Sequence, residues 1–382
     1  MEKLKLKILC IITLFLVIVG CADPPKPIEK ITPPRFEPPP FEISDVTANP
    51  RIFNPSKKET VAISYRLSRP GKAIVSIFDA TMHLIRDIPG EEIGRGGVNK
   101  VVWDGRDLEG RVVPDEAYFF TIEVRDYQRN SAVYDPTTFS GGTYFGPPVQ
   151  FDKSNGILSY QLAKDSRVRI RAGISGGPLL KTIVNWGPRL AGQNEEVWDG
   201  KDESGNIHVV NQKNYRLMVE AVSLPENSIL TIGNTGYEFF KYRNDIAPDR
   251  PKKIKRPLFQ DPKTGMRQRF SRPILQALEP RFHMELPRSP DKNEDGLPVV
   301  SGKVPLKIYL DERIKRYVTE QRYEVIYFVD FAFITEIEEG YSPGTWVWDS
   351  SRVINGEHIL TVNIATFAGQ VASASLRVFV QN

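Results

Sequence analysis

One eight-residue turn sequence occurs twice in this chain and limits the folds that the chain can adopt. Residues 103–110 read WDGRDLEG and residues 198–205 read WDGKDESG, so the two tryptophans lie 95 residues apart. In both copies, runs of alternating apolar and polar residues precede and follow the turn. Alternation with a period of two, interrupted by Gly, Pro and Asp turns, is typical of half-buried antiparallel strands in a sandwich. The sequence therefore predicts two copies of one β-sandwich.

A third β-rich unit occupies residues 282–382. It contains the apolar run Val325–Val329, a Trp348-Asp349-Ser350 turn and a closing strand that ends near Val380. Because large aromatic side chains at strand ends usually anchor a core, we expect Trp103, Trp198 and Trp348 to be buried.

The first two units resemble the immunoglobulin-like domain of the flagellar hook-capping protein. The matching residues are the W-D-G-x-D-x-x-G turns and the downstream tyrosines Tyr118 and Tyr215. The first unit departs from the family pattern at Glu116, where the family usually has glycine. The third unit resembles a different bacterial immunoglobulin-like family. These resemblances imply three immunoglobulin-like sandwiches, whereas the hook-capping role itself is not implied, because the segment that docks a hook cap has no counterpart in this sequence.

The N-terminus resembles a bacterial lipoprotein signal. Three lysines are followed by an apolar run over 8–19 and then by Ile18-Val19-Gly20-Cys21. The apolar run is shorter than the about 20 residues that a membrane-spanning helix needs, so a cleaved signal fits better. The resemblance implies that Cys21 is acylated and anchors the protein in a membrane. Eight prolines between residues 22 and 40 then predict an extended polyproline II tether.

The predicted fold class is all-β, with three tandem immunoglobulin-like antiparallel β-sandwiches behind the signal and the tether. The predicted segments are the signal peptide (1–20), the lipidated cysteine and tether (21–42), sandwich 1 (43–128), a Gly/Pro/aromatic connector (129–148), sandwich 2 (149–224), a basic connector (225–281) and sandwich 3 (282–382).

Composition excludes several classes of function. The formal net charge is +4, and residues 1–20 carry three lysines and one glutamate, so the mature chain carries only +2. A nearly neutral chain gives no reason to expect a nucleic-acid partner. The chain has two cysteines, of which Cys10 leaves with the signal and Cys21 is expected to be acylated. The mature body then has no thiol for a disulfide, a cysteine-ligated metal or covalent catalysis.

Paired carboxylates occur in both copies of the turn, Asp104 with Asp107 and Asp199 with Asp202. A glycoside hydrolase uses two acids about 5–10 Å apart across a cleft. In tight turns, however, Asp side chains accept backbone N–H groups, and the repeated spacing favours this structural role. His358 is interpreted as a hydrogen-bonded residue at the core edge, and no G-x-S-x-G nucleophile elbow is present. The sequence therefore predicts no enzyme.

A calcium site is the best candidate for a bound ion, and no other cofactor is expected. Residues 291–296 read DKNEDG, which fits the D-x-[DN]-x-[DN]-G loop in which alternate side-chain oxygens face Ca²⁺. The predicted ligands are Asp291, Asn293 and Asp295. Position twelve of the loop is Gly302 and not the usual glutamate, so an acidic turn with no ion explains the same letters.

The two connectors are the candidate partner-binding surfaces. The first carries the aromatic residues Tyr134, Phe139, Tyr144 and Phe145, which either stack on a sugar or partner or fold back onto their own domains. The second carries Lys252, Lys253, Lys255 and Arg256. These residues either bind a phosphorylated lipid headgroup, an acidic polysaccharide or an acidic partner protein, or belong to a solvated spacer.

The preferred function is a non-enzymatic cell-envelope lipoprotein that acts as a scaffold or interaction subunit. The expected location is the outer membrane, on a face that the sequence does not specify, with other envelope proteins as partners. One alternative is a surface module that binds glycan or peptidoglycan. Another is an accessory subunit of an envelope enzyme or of a secretion or assembly complex.

Overall fold

The computed structural model describes residues 40–80, 82–91, 96–138, 140–234, 239, 242, 279–287 and 291–382. The chain divides into two units, Met1–Pro40 and Phe41–Asn382, and every strand described below belongs to the second.

Most of the secondary structure in the described residues is β-strand. Residues 43–134 supply β1 (Ile43–Asn49), β2 (Ile52–Phe53), β3 (Val61–Leu67), β4 (Lys72–Phe78), β5 (Leu84–Pro89), β6 (Gly97–Trp103), β7 (Ala117–Arg125) and β8 (Ser131–Tyr134). Residues 144–231 supply β9 (Tyr144–Phe145), β10 (Val149–Asp152), β11 (Ile157–Leu162), β12 (Ser166–Ile174), β13 (Leu179–Arg189), β14 (Gly192–Val197), β15 (Tyr215–Ser223) and β16 (Ser228–Thr231). Residues 282–380 supply β17 (Phe282–Glu285), β18 (Val299–Val300), β19 (Lys303–Leu310), β20 (Tyr323–Val329), β21 (Ala332–Ile337), β22 (Gly344–Asp349), β23 (Gly356–Thr366) and β24 (Val371–Val380). Helix α1 is Glu312–Glu320, and short 3-10 helices lie at Pro55–Lys57, Pro136–Thr138, Val209–Asn211 and Ser350–Arg352.

Sandwich 1 packs a three-stranded sheet, β1-β3-β6, against a sheet with the order β2-β16-β7-β4-β5, in which β8 also pairs with β7. Strand β7 is antiparallel to β4, from Phe78 opposite Phe119 to Lys72 opposite Arg125. Alternate residues of both sheets meet in one apolar core around Trp103, as the period-two pattern predicts.

Sandwich 2 repeats this plan with sheets β10-β11-β14 and β13-β12-β15-β9. Its core contains Leu158, Ile170 and Trp198. Strand β12 lies at the centre of its sheet, between β13 and β15, so the outer face of β12 is available for contacts with the neighbouring sandwiches.

Sandwich 3 packs β17-β19-β22 against β18-β24-β23-β20-β21. Its helix α1 begins after Asp311, whose side chain accepts the backbone N–H of Arg313 at 2.9 Å, as expected of an N-cap residue. Ile314 and Val318 are the buried residues of α1. Together, the three sandwiches confirm the predicted all-β fold of tandem antiparallel sandwiches.

The three tryptophans are buried, as predicted. Trp103, Trp198 and Trp348 expose 0%, 3% and 4% of their surfaces, respectively. Trp103 contacts Phe53 and Tyr118 edge to face, with ring centroids 5.6 and 5.4 Å apart. Each tryptophan is therefore a core anchor at the end of its strand.

The structure corrects the predicted connector boundaries. Strand β16 falls within the segment interpreted as the basic connector, yet it pairs with β7 and β2 of sandwich 1. All its residues are buried, and the chain thus returns from sandwich 2 to complete a sheet of sandwich 1. In the aromatic connector, β8 pairs with β7 and β9 pairs with β15, so this segment extends both neighbouring sandwiches. In the described part of the chain, no helix is both long and apolar enough to cross a membrane.

Candidate functional site

The duplicated turn has the same geometry in both sandwiches. The Trp103 indole N–H donates to the Arg106 carbonyl at 3.0 Å, and the Trp198 indole N–H donates to the Lys201 carbonyl at 2.8 Å. The indole is thus hydrogen-bonded within the core, which a buried Trp requires.

The paired carboxylates accept hydrogen bonds from residues of their own turns. Asp104 and Asp199 each accept the backbone N–H two residues ahead, at 3.1 and 3.0 Å. Asp107 accepts two backbone N–H groups and also bonds Arg111 and Tyr242. Burial would raise the pKa of Asp107, but the hydrogen bonds from Arg111 and Tyr242 hold it below its usual value. A carboxylate held in this way is a structural acceptor and not a proton donor.

The predicted calcium loop is a third copy of the same turn. The backbone N–H of Asn293 donates to the Leu297 carbonyl at 3.0 Å, and that of Gly296 donates to the Asn293 carbonyl at 2.9 Å. The side-chain oxygen of Asn293 accepts the Leu297 N–H at 2.8 Å. Asp107 makes the same three kinds of bond in sandwich 1.

The hydrogen bonds of Asn293 stabilise the turn and require no bound ion. Asp291 and Asp295 are exposed, and among the described residues no three His, Cys, Asp or Glu side chains form a group that could hold a metal ion. Binding of Ca²⁺ by Asp291, Asn293 and Asp295 stays a prediction.

His358 is hydrogen-bonded through both ring nitrogens. Its Nδ1 lies 2.6 Å from an Asp330 oxygen, and its Nε2 lies 2.8 Å from the Ile354 carbonyl oxygen. The side chain is buried. The structure thus agrees with the interpretation of His358 as a hydrogen-bonded residue at the core edge.

The aromatic residues of the first connector lie in different surroundings. The Tyr134 ring stacks on Phe120 with centroids 6.0 Å apart, and its hydroxyl donates to Glu226 at 3.4 Å. Phe145 packs against the core of sandwich 2. Tyr144 is half exposed and contacts Trp186 edge to face at 6.4 Å. Tyr134 and Phe145 therefore pack onto their own sandwiches, and Tyr144 presents a free ring surface.

Several predicted site residues lie outside the described residues. These are the acylation site Cys21, the aromatic residue Phe139 and the basic residues Lys252, Lys253, Lys255 and Arg256. Their predicted roles stay predictions.

An arginine ladder on β12 joins sandwich 2 to its neighbours. We use this name for Arg167, Arg169 and Arg171, which alternate with the core residues Val168 and Ile170. Since successive strand residues point to opposite faces, the three arginines share the outer face of the sheet. That face is covered, because Arg167 exposes 1% and Arg171 exposes 8% of its surface.

Arg167 forms a buried ion pair with sandwich 1. Its Nη2 lies 2.6 Å from Oε1 of Glu116, and both side chains are less than a tenth exposed. Its Nη1 also donates to the Trp186 carbonyl at 3.1 Å. A buried pair of this kind costs desolvation on both sides, so it depends on good geometry and on the added hydrogen bonds.

An apolar cluster reinforces the junction of sandwiches 1 and 2. The cluster contains Phe119, Leu230 and Phe239 with Leu190 and Leu224 of sandwich 2. Its members share no sequence period, so it is visible only in the structure.

Arg169 and Arg171 reach sandwich 3. Both donate to the Gly369 carbonyl, at 3.1 and 3.3 Å, and Arg169 also pairs with Glu220 of its own sheet. Burial lowers the pKa of Arg171 to about 10, so this guanidinium stays protonated at neutral pH.

Amide and hydroxyl contacts complete the junction of sandwiches 2 and 3. The Asn363 side chain accepts the Leu179 N–H at 2.9 Å and donates to the Leu179 carbonyl at 2.8 Å. The Ser375 N–H donates to the Ser204 hydroxyl at 2.8 Å, and Asn206 donates to the Ser375 carbonyl at 2.7 Å. Polar groups of β23 and β24 thus contribute to this junction, together with Phe331 and Ile359, which pack against the core of sandwich 2.

Sequence reasoning missed both junctions, although one signal was present. Glu116 is the position at which the first turn departs from its family pattern, and it is the residue that pairs with Arg167. The arginines at every second position of β12 gave no such signal, because arginines are mostly exposed and are rarely fully buried unless they are paired.

Comparisons with known proteins give no assignment of family. No family model matches the chain, and no curated protein matches it, so the resemblance to the hook-capping domain stays a prediction. Among solved structures, a tetra-tandem repeat from the extending region of a large adhesion protein is 12% identical, with 89% of this chain and 74% of that chain covered and a TM-score of 0.20. Fibronectin(III)-like modules of Clostridium thermocellum CbhA are 10% identical, with coverages of 88% and 94% and a TM-score of 0.20. A 1.5-MDa bacterial ice-binding adhesin is 11% identical, with coverages of 90% and 98% and a TM-score of 0.18.

Proposed function

We propose that this protein is a non-enzymatic cell-envelope lipoprotein that works as a scaffold. In this scaffold the three sandwiches are held in fixed positions relative to one another. The observation that carries the proposal is the arginine ladder, because one strand of sandwich 2 bonds to both neighbours at once. Independent domains on flexible linkers would leave such a face solvated.

The catalytic alternative has little support among the described residues. The carboxylates of the duplicated turn accept backbone N–H groups, and both ring nitrogens of His358 are engaged. A general acid or base needs a free position for the substrate proton. We therefore place the function in the surfaces that the sandwiches present.

Anchoring follows from the N-terminal sequence. Acylation of Cys21 would fix the chain to a membrane, since two or more acyl chains hold stably. The proline-rich tether of about 20 residues would then hold sandwich 1 up to roughly 60 Å from the surface, at ~3.1 Å per residue. The outer membrane is the proposed location, with other envelope proteins as partners.

Anchoring is tested with Cys21→Ala in the full chain. We expect the variant to lose its acyl chains and to leave the membrane in a carbonate wash, while the wild type stays. A variant that remains membrane-bound after the wash would contradict the lipoprotein proposal.

Rigidity is tested by spin-label distances, for which the mature body offers no competing thiol. Labels on Lys72→Cys, Ser154→Cys and Arg316→Cys report on sandwiches 1, 2 and 3, because all three residues are exposed. A scaffold predicts narrow distance distributions for the pairs, and Arg167→Met should broaden the 72–154 distribution. Broad distributions in the wild type would contradict the proposal.

Partner binding is tested by cross-linking in native membranes. We expect the wild type and the control Arg377→Met, which alters a partly exposed ion pair within sandwich 3, to give the same cross-linked partners, and Arg167→Met to lose them while it remains anchored. Equal cross-linking by Arg167→Met would show that a fixed junction is not needed for function.

A further inference from the structure

Sandwiches 1 and 2 each have an edge strand that leads into the duplicated turn. Strand β6 lies at one end of the sheet β1-β3-β6, and β14 lies at one end of the sheet β10-β11-β14. Among the described residues, β6 pairs only with β3, and β14 pairs only with β11. One side of each strand therefore presents backbone groups to which a further strand can add.

Both edges begin with the same hydrogen bond. The Asn99 side chain donates to the Gly97 carbonyl at 2.9 Å, and the Asn194 side chain donates to the Gly192 carbonyl at 3.1 Å. The carbonyl that starts each strand is thus already engaged. The stretches that follow, residues 98–102 and 193–197, are the equivalent edges of the two sandwiches.

Both edges carry apolar side chains on the outer face of their sheets. Val98 is 69% exposed and Val102 is also exposed, whereas Val101 between them is buried. In β14, Val197 is 85% exposed. Since successive strand residues point to opposite faces, the exposed valines lie on the outer face, where they pack against nothing in their own sandwich.

The two edges carry opposite charges at their centres. Lys100 is the middle residue of 98–102, and Glu195 is the middle residue of 193–197. Both side chains are exposed, and neither forms an ion pair with another described residue. Pairing of either edge with itself, centred on this residue, would place like charges directly opposite each other, which is destabilising. Pairing of β6 with β14 places a lysine opposite a glutamate instead.

The same alignment also matches the apolar residues. An antiparallel pairing that sets Lys100 opposite Glu195 sets Val98 opposite Val197. Val197 lies opposite Ile157 in its own sheet, so the three apolar side chains would follow one another across the joined sheets. Side chains directly opposite each other have Cβ atoms about 4.5–5.5 Å apart, which is close enough for the two valines to pack.

We propose that β6 of one copy of this protein pairs in the antiparallel direction with β14 of a second copy. The two three-stranded sheets then form one continuous sheet, held by main-chain hydrogen bonds and selected by the side chains at the joint. The partner is a second copy because each chain supplies both edges, with matching charges and apolar residues. Neither inter-sandwich junction takes part in this contact.

The contact joins two different surfaces, so it is heterologous. A chain that uses its β6 in one contact still has its β14 for the next, and further copies can therefore add in the same way. Anchoring of many chains in one membrane, as proposed above, would raise their effective concentration and favour this association.

The pairing is tested by disulfide cross-linking of full-length chains in native membranes. One chain carries Val98→Cys, and a co-expressed, epitope-tagged chain carries Val197→Cys. Mild oxidation should join the two, because directly opposite Cα atoms in antiparallel strands lie about 4.5–5.5 Å apart, within the reach of a disulfide. Chains without the added cysteines are oxidised in parallel, so that any product of Cys21 is recognised. Absence of the 98–197 product would overturn the proposal.

The matched control moves the cysteine along the same face of β6. Val102 lies four residues from Val98, about 13 Å at ~3.3 Å per residue. Val102→Cys should therefore give little product with Val197→Cys, but it should cross-link with Gln193→Cys. Equal yields for positions 98 and 102 with Val197→Cys would overturn the proposed alignment, and a product of Val98→Cys with a different envelope protein would overturn the second copy as the partner.

Charge reversal tests the selectivity of the contact. Lys100→Glu in the Val98→Cys chain places two carboxylates opposite each other and should lower the yield of cross-linked dimer about threefold to tenfold. Glu195→Lys in the Val197→Cys chain should then restore the yield. The control Lys72→Glu alters an exposed lysine of the same sandwich and should leave the yield unchanged. A yield that stays low after the exchange of both charges would contradict the pairing.

These substitutions alter exposed side chains, so the melting temperature of each variant should match that of the wild type. The outcome is independent of the scaffold role, which depends on the junctions within one chain. A protein with narrow inter-sandwich distances and no 98–197 product would retain the scaffold proposal and lose this one.

Discussion

The two junctions of this protein join similar sandwiches by different physical means. Sandwiches 1 and 2 share an apolar cluster and the buried Glu116–Arg167 pair, and the chain returns from sandwich 2 to place β16 in a sheet of sandwich 1. Sandwiches 2 and 3 meet through hydrogen bonds between backbone atoms and amide, hydroxyl or guanidinium groups, and Phe331 and Ile359 of sandwich 3 also pack against the core of sandwich 2.

This difference predicts different cooperativity. Apolar burial contributes about 25 cal/mol per Å² whatever the orientation of the groups, and β16, which follows sandwich 2 in the chain, completes a sheet of sandwich 1. Each hydrogen bond makes a net contribution to stability of only about 0.5–1.5 kcal/mol. We therefore expect sandwiches 1 and 2 to unfold as one unit, and sandwich 3 to unfold separately.

The largest expected effect comes from loss of a core tryptophan. Trp103→Ala should lower the free energy of unfolding by about 3–5 kcal/mol. Because sandwich 2 is coupled to sandwich 1, hydrogen exchange should show both becoming less protected together. Trp348→Ala should accelerate hydrogen exchange of the amides in sandwich 3 and leave the amides of the other two sandwiches protected.

The control is Tyr127→Ala, which truncates an exposed aromatic residue of the same sandwich and should change stability by about 0.5 kcal/mol or less. If Trp348→Ala unfolded all three sandwiches in one step, the contrast between the junctions would be wrong.

The buried ion pair gives the next effect. Arg167→Met leaves the Glu116 carboxylate buried without its cation, which should cost about 3 kcal/mol or slightly more. The double variant Arg167→Met/Glu116→Gln should recover most of this loss, since the neutral amide can still accept the Ala117 N–H that Glu116 accepts at 2.6 Å. Equilibrium denaturation of the single and double variants measures the difference.

Arg125→Met is the matched control, because Arg125 pairs with Glu123 at the surface and such pairs contribute about 0–1 kcal/mol. A double variant no more stable than Arg167→Met would show that packing of the arginine, and not its charge, holds the junction.

The sequence was informative where the same local rule applies in every copy. Trp103, Asp104 and Gly105 act through bonds within a few residues, and Gly105 adopts the left-handed region with φ 68°, which favours glycine. Turn, strand period and buried tryptophan could all be predicted, because each depends on near neighbours in the chain.

The junctions depend on which surface of one sandwich packs against which surface of its neighbour. The alternation of residues along β12 does not specify this packing. Period two places Arg167 on the outer face, but only the position of sandwich 1 brings Glu116 within 2.6 Å of it. Strand β16 was missed for the same reason, since its four residues are too few to show a period. In the loop around Asn293 the sequence pattern was visible but ambiguous, because calcium loops and tight turns use the same residue types.

The second junction should respond to loss of one amide. Asn363→Leu removes both hydrogen bonds to the partly buried Leu179 backbone, at a cost of about 1–3 kcal/mol. We expect the 154–316 spin-label distance to broaden while the 72–154 distance stays narrow. The control Asn355→Leu alters an exposed amide that bonds the chain end within sandwich 3, and it should leave both distances unchanged. Broadening of the 72–154 distance by Asn363→Leu would contradict the separation of the two junctions.

The smallest effect concerns pH and is confined to sandwich 3. Burial alone would lower the pKa of His358, but Asp330 and the Ile354 carbonyl stabilise the protonated ring and raise the pKa above its ordinary value. Both ring nitrogens face acceptor oxygens, and only the imidazolium form can donate to both. A raised pKa means that the stabilisation is complete below the unfolded value of about 6.5 and is lost as pH rises through the folded value.

The stability of sandwich 3 should therefore fall from mildly acidic to mildly alkaline pH, as measured by denaturant unfolding at each pH. His358→Gln should remove this slope, because a neutral amide does not titrate in that range. The bond to His358 holds Asp330, which directly precedes Phe331, and Phe331 packs against the core of sandwich 2. Deprotonation should thus loosen the second junction before the first, and the 154–316 distance should broaden with rising pH. A wild-type stability that rises with pH, or an unchanged slope in His358→Gln, would show that His358 is neutral in the folded protein and that pH does not distinguish the two junctions.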